Sequence, residues 1–82
     1  MIAYPNPFYS QLTVECTEAI EEIRIYNISG SLVMTKPADG SIHQWIWDGR
    51  DQNGGSLPAG IYLIRVSGNG HSTAIRVNKL EH

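Results

Sequence analysis

Turn-forming residues recur at short intervals along this chain, and their spacing constrains the fold more than any other feature. Short runs that alternate apolar and polar residues are separated by Gly, Asn, Asp, Ser and Pro. Period-two alternation is typical of strands with one buried face, and the separating residues favour tight turns. The pattern predicts an antiparallel β-sandwich of six or seven short strands. The main runs are residues 12–17, 23–26, 42–47, 61–66 and 72–79, with turns at 27–30 and 68–70.

One segment, residues 15–23, has a weak helical alternative because its glutamates and its alanine favour helix. The segment is short and both flanks alternate with period two, so we predict two strands joined by an acidic, solvated turn around Glu18 and Ala19.

The same alternation predicts which side chains form the core. In the run at residues 61–66, one face ends in Arg65, so the opposite face is predicted to be buried. The predicted core residues are Tyr62, Ile64, Val66, Ile23, Ile25, Ile75, Val77 and at least one of Trp45 and Trp47.

Size and charge narrow the function classes. The 82 residues suit one small domain, and a single cysteine cannot form an internal disulfide. Six Lys/Arg residues are scattered among eight Asp/Glu, so no nucleic-acid partner is predicted. No apolar run reaches the ~18–20 residues of a transmembrane segment. We interpret residues 1–79 as one domain and residues 80–82 as a remnant of a vector-encoded tag.

The stretch from Trp47 to Tyr62 holds four of the eight glycines and is the natural place to look for a ligand loop. It lacks the phosphate-loop motif. Asp48, Asp51 and Asn53 suggest a calcium loop, but the spacing is wrong and no glutamate closes it. We therefore predict a structured turn that binds no metal and no cofactor.

Other chemical groups are isolated in the sequence. Cys16 has no adjacent base, and the three histidines, His43, His71 and His82, lack metal-ligand spacing, so we predict that the chain is not an enzyme. A carbohydrate- or peptide-binding face remains an alternative, although core packing is the preferred use of its aromatic residues. The residues of that face would be Tyr4, Phe8, Tyr9, Trp45 and Trp47.

Three segments together resemble a known family: YPNPF at residues 4–8, IRIYNISGSLV at 23–33 and WDGRDQNGGSLPAGIYLIRV at 47–66. They resemble the type A C-terminal sorting domain of proteins exported by the bacterial type IX (Por) secretion system. The resemblance extends over residues 4–79. It implies an Ig-like antiparallel β-sandwich of about seven strands. The WDG segment alone also resembles the Ig-like domain of flagellar hook-cap proteins, which leaves a structural domain as a further alternative.

The resemblance also implies a role and partners. The domain would be a secretion signal at the end of a longer chain, with the cargo domain on its N-terminal side. The outer-membrane export machinery would recognise it, and a sortase-like peptidase would remove it. The cargo would pass through the periplasm and finish at the cell surface or outside the cell.

The family motifs fall on identifiable positions here. Asn27 stands where the family more often has aspartate, a change that keeps the turn chemistry. The two prolines around Asn6 remove backbone donors, so we predict a rigid, extended lead-in that resists edge pairing. The implied recognition residues are Tyr4, Pro5, Asn6, Pro7, Gly30, Trp47, Asp48, Gly49, Pro58, Gly60, Tyr62, Arg76 and Lys79.

Overall fold

A computed structural model describes residues 1–81 as a curled, five-stranded antiparallel sheet with no helix; His82 lies outside the described residues. The all-β, antiparallel prediction is confirmed. The strand number differs from the predicted seven, because two strands run through 16 residues each. The strands are β1 (Ile2–Tyr4), β2 (Leu12–Asn27), β3 (Leu32–Trp47), β4 (Gly60–Gly68) and β5 (His71–Lys79).

Strand β2 is the central strand of the sheet. Near each of its two ends it is paired with a neighbouring strand on either side. β3 lies along one edge from Leu12 to Tyr26. On the other edge, β1 pairs with residues 13–15 and β4 pairs with residues 22–27. β5 extends the sheet beyond β4. The two ends of β2 therefore belong to different parts of the curled sheet.

The predicted acidic turn at residues 18–19 does not form, and the segment is instead a bulge within β2. In the register with β3, residues 16–19 stand opposite one residue, His43, and residues 38–41 of β3 stand opposite Glu21. Bulges bend a strand and increase its twist. The paired strands can therefore curl around the core without breaking.

The bulge is fastened to the turn between β4 and β5. The Asn69 backbone N–H donates to Glu21 Oε1 (3.1 Å), and Asn69 Nδ2 donates to Glu18 Oε2 (3.2 Å). Gly68 packs so tightly on the Ala19 carbonyl that a Cβ at Gly68 would overlap the carbonyl oxygen. The acidic side chains of Glu18 and Glu21 thus hold the turn between β4 and β5 in place.

One core cluster joins both ends of the curled sheet. The predicted burial of one face of β4 is confirmed, and its opposite face is exposed. Trp47 is the buried tryptophan, whereas Trp45 and Ile75 are half-buried. The core residues are Phe8, Leu12, Val14, Ile20, Ile23, Ile25, Trp47, Tyr62, Ile64, Val66 and Val77.

We expect the substitution Gly68→Ala to lower the free energy of unfolding by about 1–3 kcal/mol, because a methyl group there forces backbone apart. Urea denaturation of the purified chain measures the change. Ser67→Ala, at the neighbouring position, is the matched control and should stay within about 0.5 kcal/mol of the parent. Equal losses in both variants would contradict the tight contact between bulge and turn.

Candidate recognition site

Two of the family segments, residues 4–8 and 47–66, meet at three buried side chains, Phe8, Trp47 and Tyr62, which we call the aromatic triad. The Trp47 ring lies between the other two, with centroids 5.5 Å from each. It is tilted by 51° to Phe8 and meets Tyr62 edge-on at 74°. Such geometries are favoured because a ring edge is positive and a ring face negative. Trp47 therefore links the opening motif to the motif that begins β4.

The polar atoms of the aromatic triad hold the two ends of the glycine-rich loop. Trp47 Nε1 donates to the Arg50 carbonyl oxygen (3.0 Å) at the beginning of the loop. The Tyr62 hydroxyl donates to the Pro58 carbonyl oxygen (2.6 Å) at its end. Burial raises the pKa of the Tyr62 phenol, because the ionised form would lose hydration.

Asn6 pairs with the outward edge of β5 as a strand residue would. Its Nδ2 donates to the Arg76 carbonyl oxygen (3.2 Å), and the Asn78 N–H donates to Asn6 Oδ1 (3.0 Å). Pro5 and Pro7 have no N–H to offer, so the amide side chain between them supplies the donor. The predicted extended lead-in is wrong: residues 5–7 form a bend that covers a strand edge.

Phe8 extends the pairing of this segment with the β5 edge, and the Lys79 side chain lies next to it against Gly49. The Phe8 N–H donates to the Asn78 carbonyl oxygen (3.0 Å), and the Leu80 N–H donates to the Phe8 carbonyl oxygen (2.7 Å). Gly49 is buried with φ of 75°, and a Cβ there would lie 2.7 Å from Lys79 Cε. Glycine at this position leaves room for the lysine stem to cross the WDG turn.

Two loops share one hydrogen-bond design. Oδ1 of Asn27 and Oδ1 of Asp51 each accept from the backbone N–H groups two and four residues later, at 2.8–3.1 Å. The third following residue is a glycine with positive φ, Gly30 at 90° and Gly54 at 87°. The turn chemistry predicted for Asn27 is confirmed. The repeated pattern Asn/Asp-x-Ser/Asn-Gly-small is a signal that the motif interpretation missed.

The calcium-loop residues are engaged with the loop itself. Asp48 Oδ1 accepts from the Arg50 N–H (3.2 Å), and its Oδ2 lies 3.7 Å from Arg50 Nε. Arg50 also donates to the Gly54 carbonyl oxygen (2.9 Å), so a guanidinium already supplies positive charge to this loop. Within residues 1–81, no group of three or more His, Cys, Asp or Glu side chains is arranged to hold a metal ion.

Several of the implied recognition residues lie away from the aromatic triad. Tyr4 is exposed in β1, where a hydrogen bond with Glu15 raises the pKa of its phenol. Gly30 and the Arg76 side chain line a groove on the outward face of β2, β4 and β5. Gly60 has φ of 152° where β4 begins.

The aromatic-face alternative loses its main members, since Phe8 and Trp47 are fully buried. Tyr4 and Tyr9 are exposed, and Trp45 is half-buried. Burial also raises the pKa of Cys16, which disfavours the nucleophilic thiolate. No helix of the described chain is long and apolar enough to cross a membrane.

These features define a class of protein: a small all-β domain in which motif residues hold residues 6–8, the glycine-rich loop and β5 together. A family model described as the secretion system C-terminal sorting domain matches residues 2–79. The chain belongs to this family, the C-terminal sorting signals of type IX secretion. None of the curated proteins compared with the chain matches it.

Two solved structures from Porphyromonas gingivalis contain a similar fold. PorZ, described as an essential bacterial surface component of the type-IX secretion system, matches with a TM-score of 0.76 and 21% identity over 96% of this chain. Dimeric latent PorU matches with a TM-score of 0.65 and 24% identity over 98% of this chain. The chain spans only 11% and 9% of those proteins, so the likeness concerns the fold alone.

We expect Asn6→Ala to lower the free energy of unfolding by about 1–2 kcal/mol, because two hydrogen bonds to β5 are lost. Asn6→Asp keeps the acceptor for the Asn78 N–H but places a carboxylate oxygen against the Arg76 carbonyl oxygen, so its loss should be at least as large. Chemical denaturation measures both losses, and faster hydrogen exchange at the Asn78 amide locates them. Asn53→Ala, in an exposed loop, is the control; unchanged exchange at Asn78 in Asn6→Ala would refute the edge-cover role.

We expect Tyr62→Phe to lose about 1 kcal/mol at pH 7, because the Pro58 carbonyl loses its donor. The unfolded phenol ionises near pH 10 and the folded one at higher pH, so parent stability should hold below about pH 10 and fall above it. The variant should show less of that alkaline fall. Thermal melts of the parent and the variant from pH 7 to 11 test this, and an unaltered alkaline fall in Tyr62→Phe would contradict it.

Proposed function

We propose that residues 1–79 work as a folded label on a longer exported protein, read by the type IX machinery as a three-dimensional shape. Membership of the sorting-domain family supplies the export role, across the outer membrane to the cell surface or the medium. The observation that carries the folded-label proposal is the convergence of distant motifs on the aromatic triad. Residues 80–82 lie outside this proposed unit.

We also infer that the curled sheet corresponds to an Ig-like sandwich. One layer would hold β1, the first part of β2 and the last part of β3; the other would hold the remaining parts with β4 and β5. Counting the two parts of β2 and of β3 separately gives seven strand segments. The two offset bulges support this division, because sandwich corners are made by strands that bend from one layer to the other.

The motif residues divide into two proposed roles. Trp47, Gly49 and Tyr62 are buried and would act by setting the shape. The exposed or half-buried residues would include those that touch the receptor. That second group contains Tyr4, Pro5, Asn6, Pro7, Gly30, Asp48, Pro58, Gly60, Arg76 and Lys79.

The resemblance adds partners to the proposal. A cargo domain would lie on the N-terminal side of this domain. The exported protein would cross the inner membrane into the periplasm before the outer-membrane machinery recognises it. A sortase-like peptidase would then separate cargo from label. The sorting-domain family is normally non-catalytic, and the raised pKa of Cys16 supports a non-catalytic role here.

A reporter fusion tests the function. We expect a periplasm-targeted fluorescent reporter followed by residues 1–79 to reach the cell surface or medium in a bacterium with the type IX system. A matched strain lacking the export channel should retain the reporter in the periplasm. Trp47→Ala, which should cost about 3–5 kcal/mol of stability, should abolish export because the folded shape is lost. Periplasmic retention of the folded parent fusion in the competent strain would refute the proposal.

A further inference from the structure

The outward edge of β5 is only half covered. Asn6 and Phe8 form hydrogen bonds with backbone groups of Arg76 and Asn78. The backbone N–H and C=O groups of the even-numbered residues of β5 therefore point away from β4. The backbone N–H and C=O groups of successive residues point to opposite edges of a strand. The groups of Ser72 and Ala74 therefore point to the same outward edge as those of Arg76. Within the described residues, the only ladder partner of β5 is β4. An unpaired stretch therefore begins where the Asn6 cover ends.

Two arginines stand beside this open stretch. Arg65 lies directly across from Ala74 in the register, and Arg76 is two residues further along β5. All three are exposed, and Arg65 and Arg76 line the same groove. The ion pairs found within the described residues belong to Arg24 with Glu22 and to Arg50 with Asp48. The charges of Arg65 and Arg76 are thus not neutralised within the described chain.

We propose that the edge formed by residues 72–75 accepts an extended, acidic segment of the export machinery as an added strand. This rests on the proposed sorting function and names the surface that performs it. Backbone hydrogen bonds would supply affinity, and carboxylates on the added strand would pair with Arg65 and Arg76 to set its register.

The charges favour such a partner over a second copy of the chain. Two copies joined edge to edge at residues 72–75 would place the Arg76 side chains of both copies on neighbouring strands, with Arg65 one strand behind each of them on β4. Like charges placed across a strand pair are destabilising. An acidic strand makes the opposite, favourable arrangement.

Two variants separate this surface from the general fold. Ala74→Pro removes an outward N–H but no bond to β4, and proline is tolerated at edges. The double variant Arg65→Glu, Arg76→Glu reverses the charge and leaves the edge intact. Lys36→Glu, an exposed reversal on β3, is the matched control. Each is placed in the reporter fusion, and its thermal midpoint and association state are measured on the purified chain.

We expect both edge variants to lower the exported fraction about tenfold, as loss of roughly 1.4 kcal/mol of binding would, while Lys36→Glu exports normally. If Ala74→Pro does not fold, the arginine double variant decides. Normal export of folded edge variants overturns the proposal, whereas failure of the parent fusion overturns the sorting function itself. A parent dimer that Ala74→Pro converts to a monomer would make a second copy the occupant, and would also overturn it.

Discussion

The contact of Trp47 with Phe8 and Tyr62 is the interaction on which the rest of the structure depends. It joins Phe8, near the N-terminus, to both ends of the glycine-rich loop, which Trp47 Nε1 and the Tyr62 hydroxyl hold by hydrogen bonds. A small domain buries little surface and has no disulfide here, so one large aromatic cluster carries a large share of its stability. The motif residues Trp47 and Tyr62 belong to that cluster and Pro58 to the loop it holds, whereas Tyr4, Gly30 and Arg76 lie elsewhere.

Strand edges are the second constraint, and the chain manages them with side chains. Asn6 stands in for a backbone strand on β5. Gln52 covers part of the β3 edge in a similar way, since its N–H donates to the Val33 carbonyl oxygen (3.0 Å) and its Oε1 accepts from the Thr35 N–H (2.8 Å). Short covers of this kind limit unwanted pairing without adding a full strand. They leave defined openings, such as the one beside Ala74.

Local pattern was sufficient to predict β4, its inward face at Tyr62, Ile64 and Val66, and the tight turn at Asn27. It failed where remote partners decide the conformation. Residues 18–19 carry turn-like signals, yet Asn69, some fifty residues away, holds this segment as a bulge. The role of Asn6 was equally hidden, because its partners lie 70 and 72 residues along the chain. The family resemblance identified these positions as important but did not reveal the bonds they make.

The first and last segments complete one another, and this has a consequence for synthesis. β5 contributes Val77 to the core and holds residues 6–8, so the body cannot close before Lys79 has left the ribosome. A polypeptide truncated earlier would lack Val77 in the core and the strand that holds residues 6–8. Under the proposed function, a receptor that recognises the folded surface would therefore bind complete chains and not truncated ones.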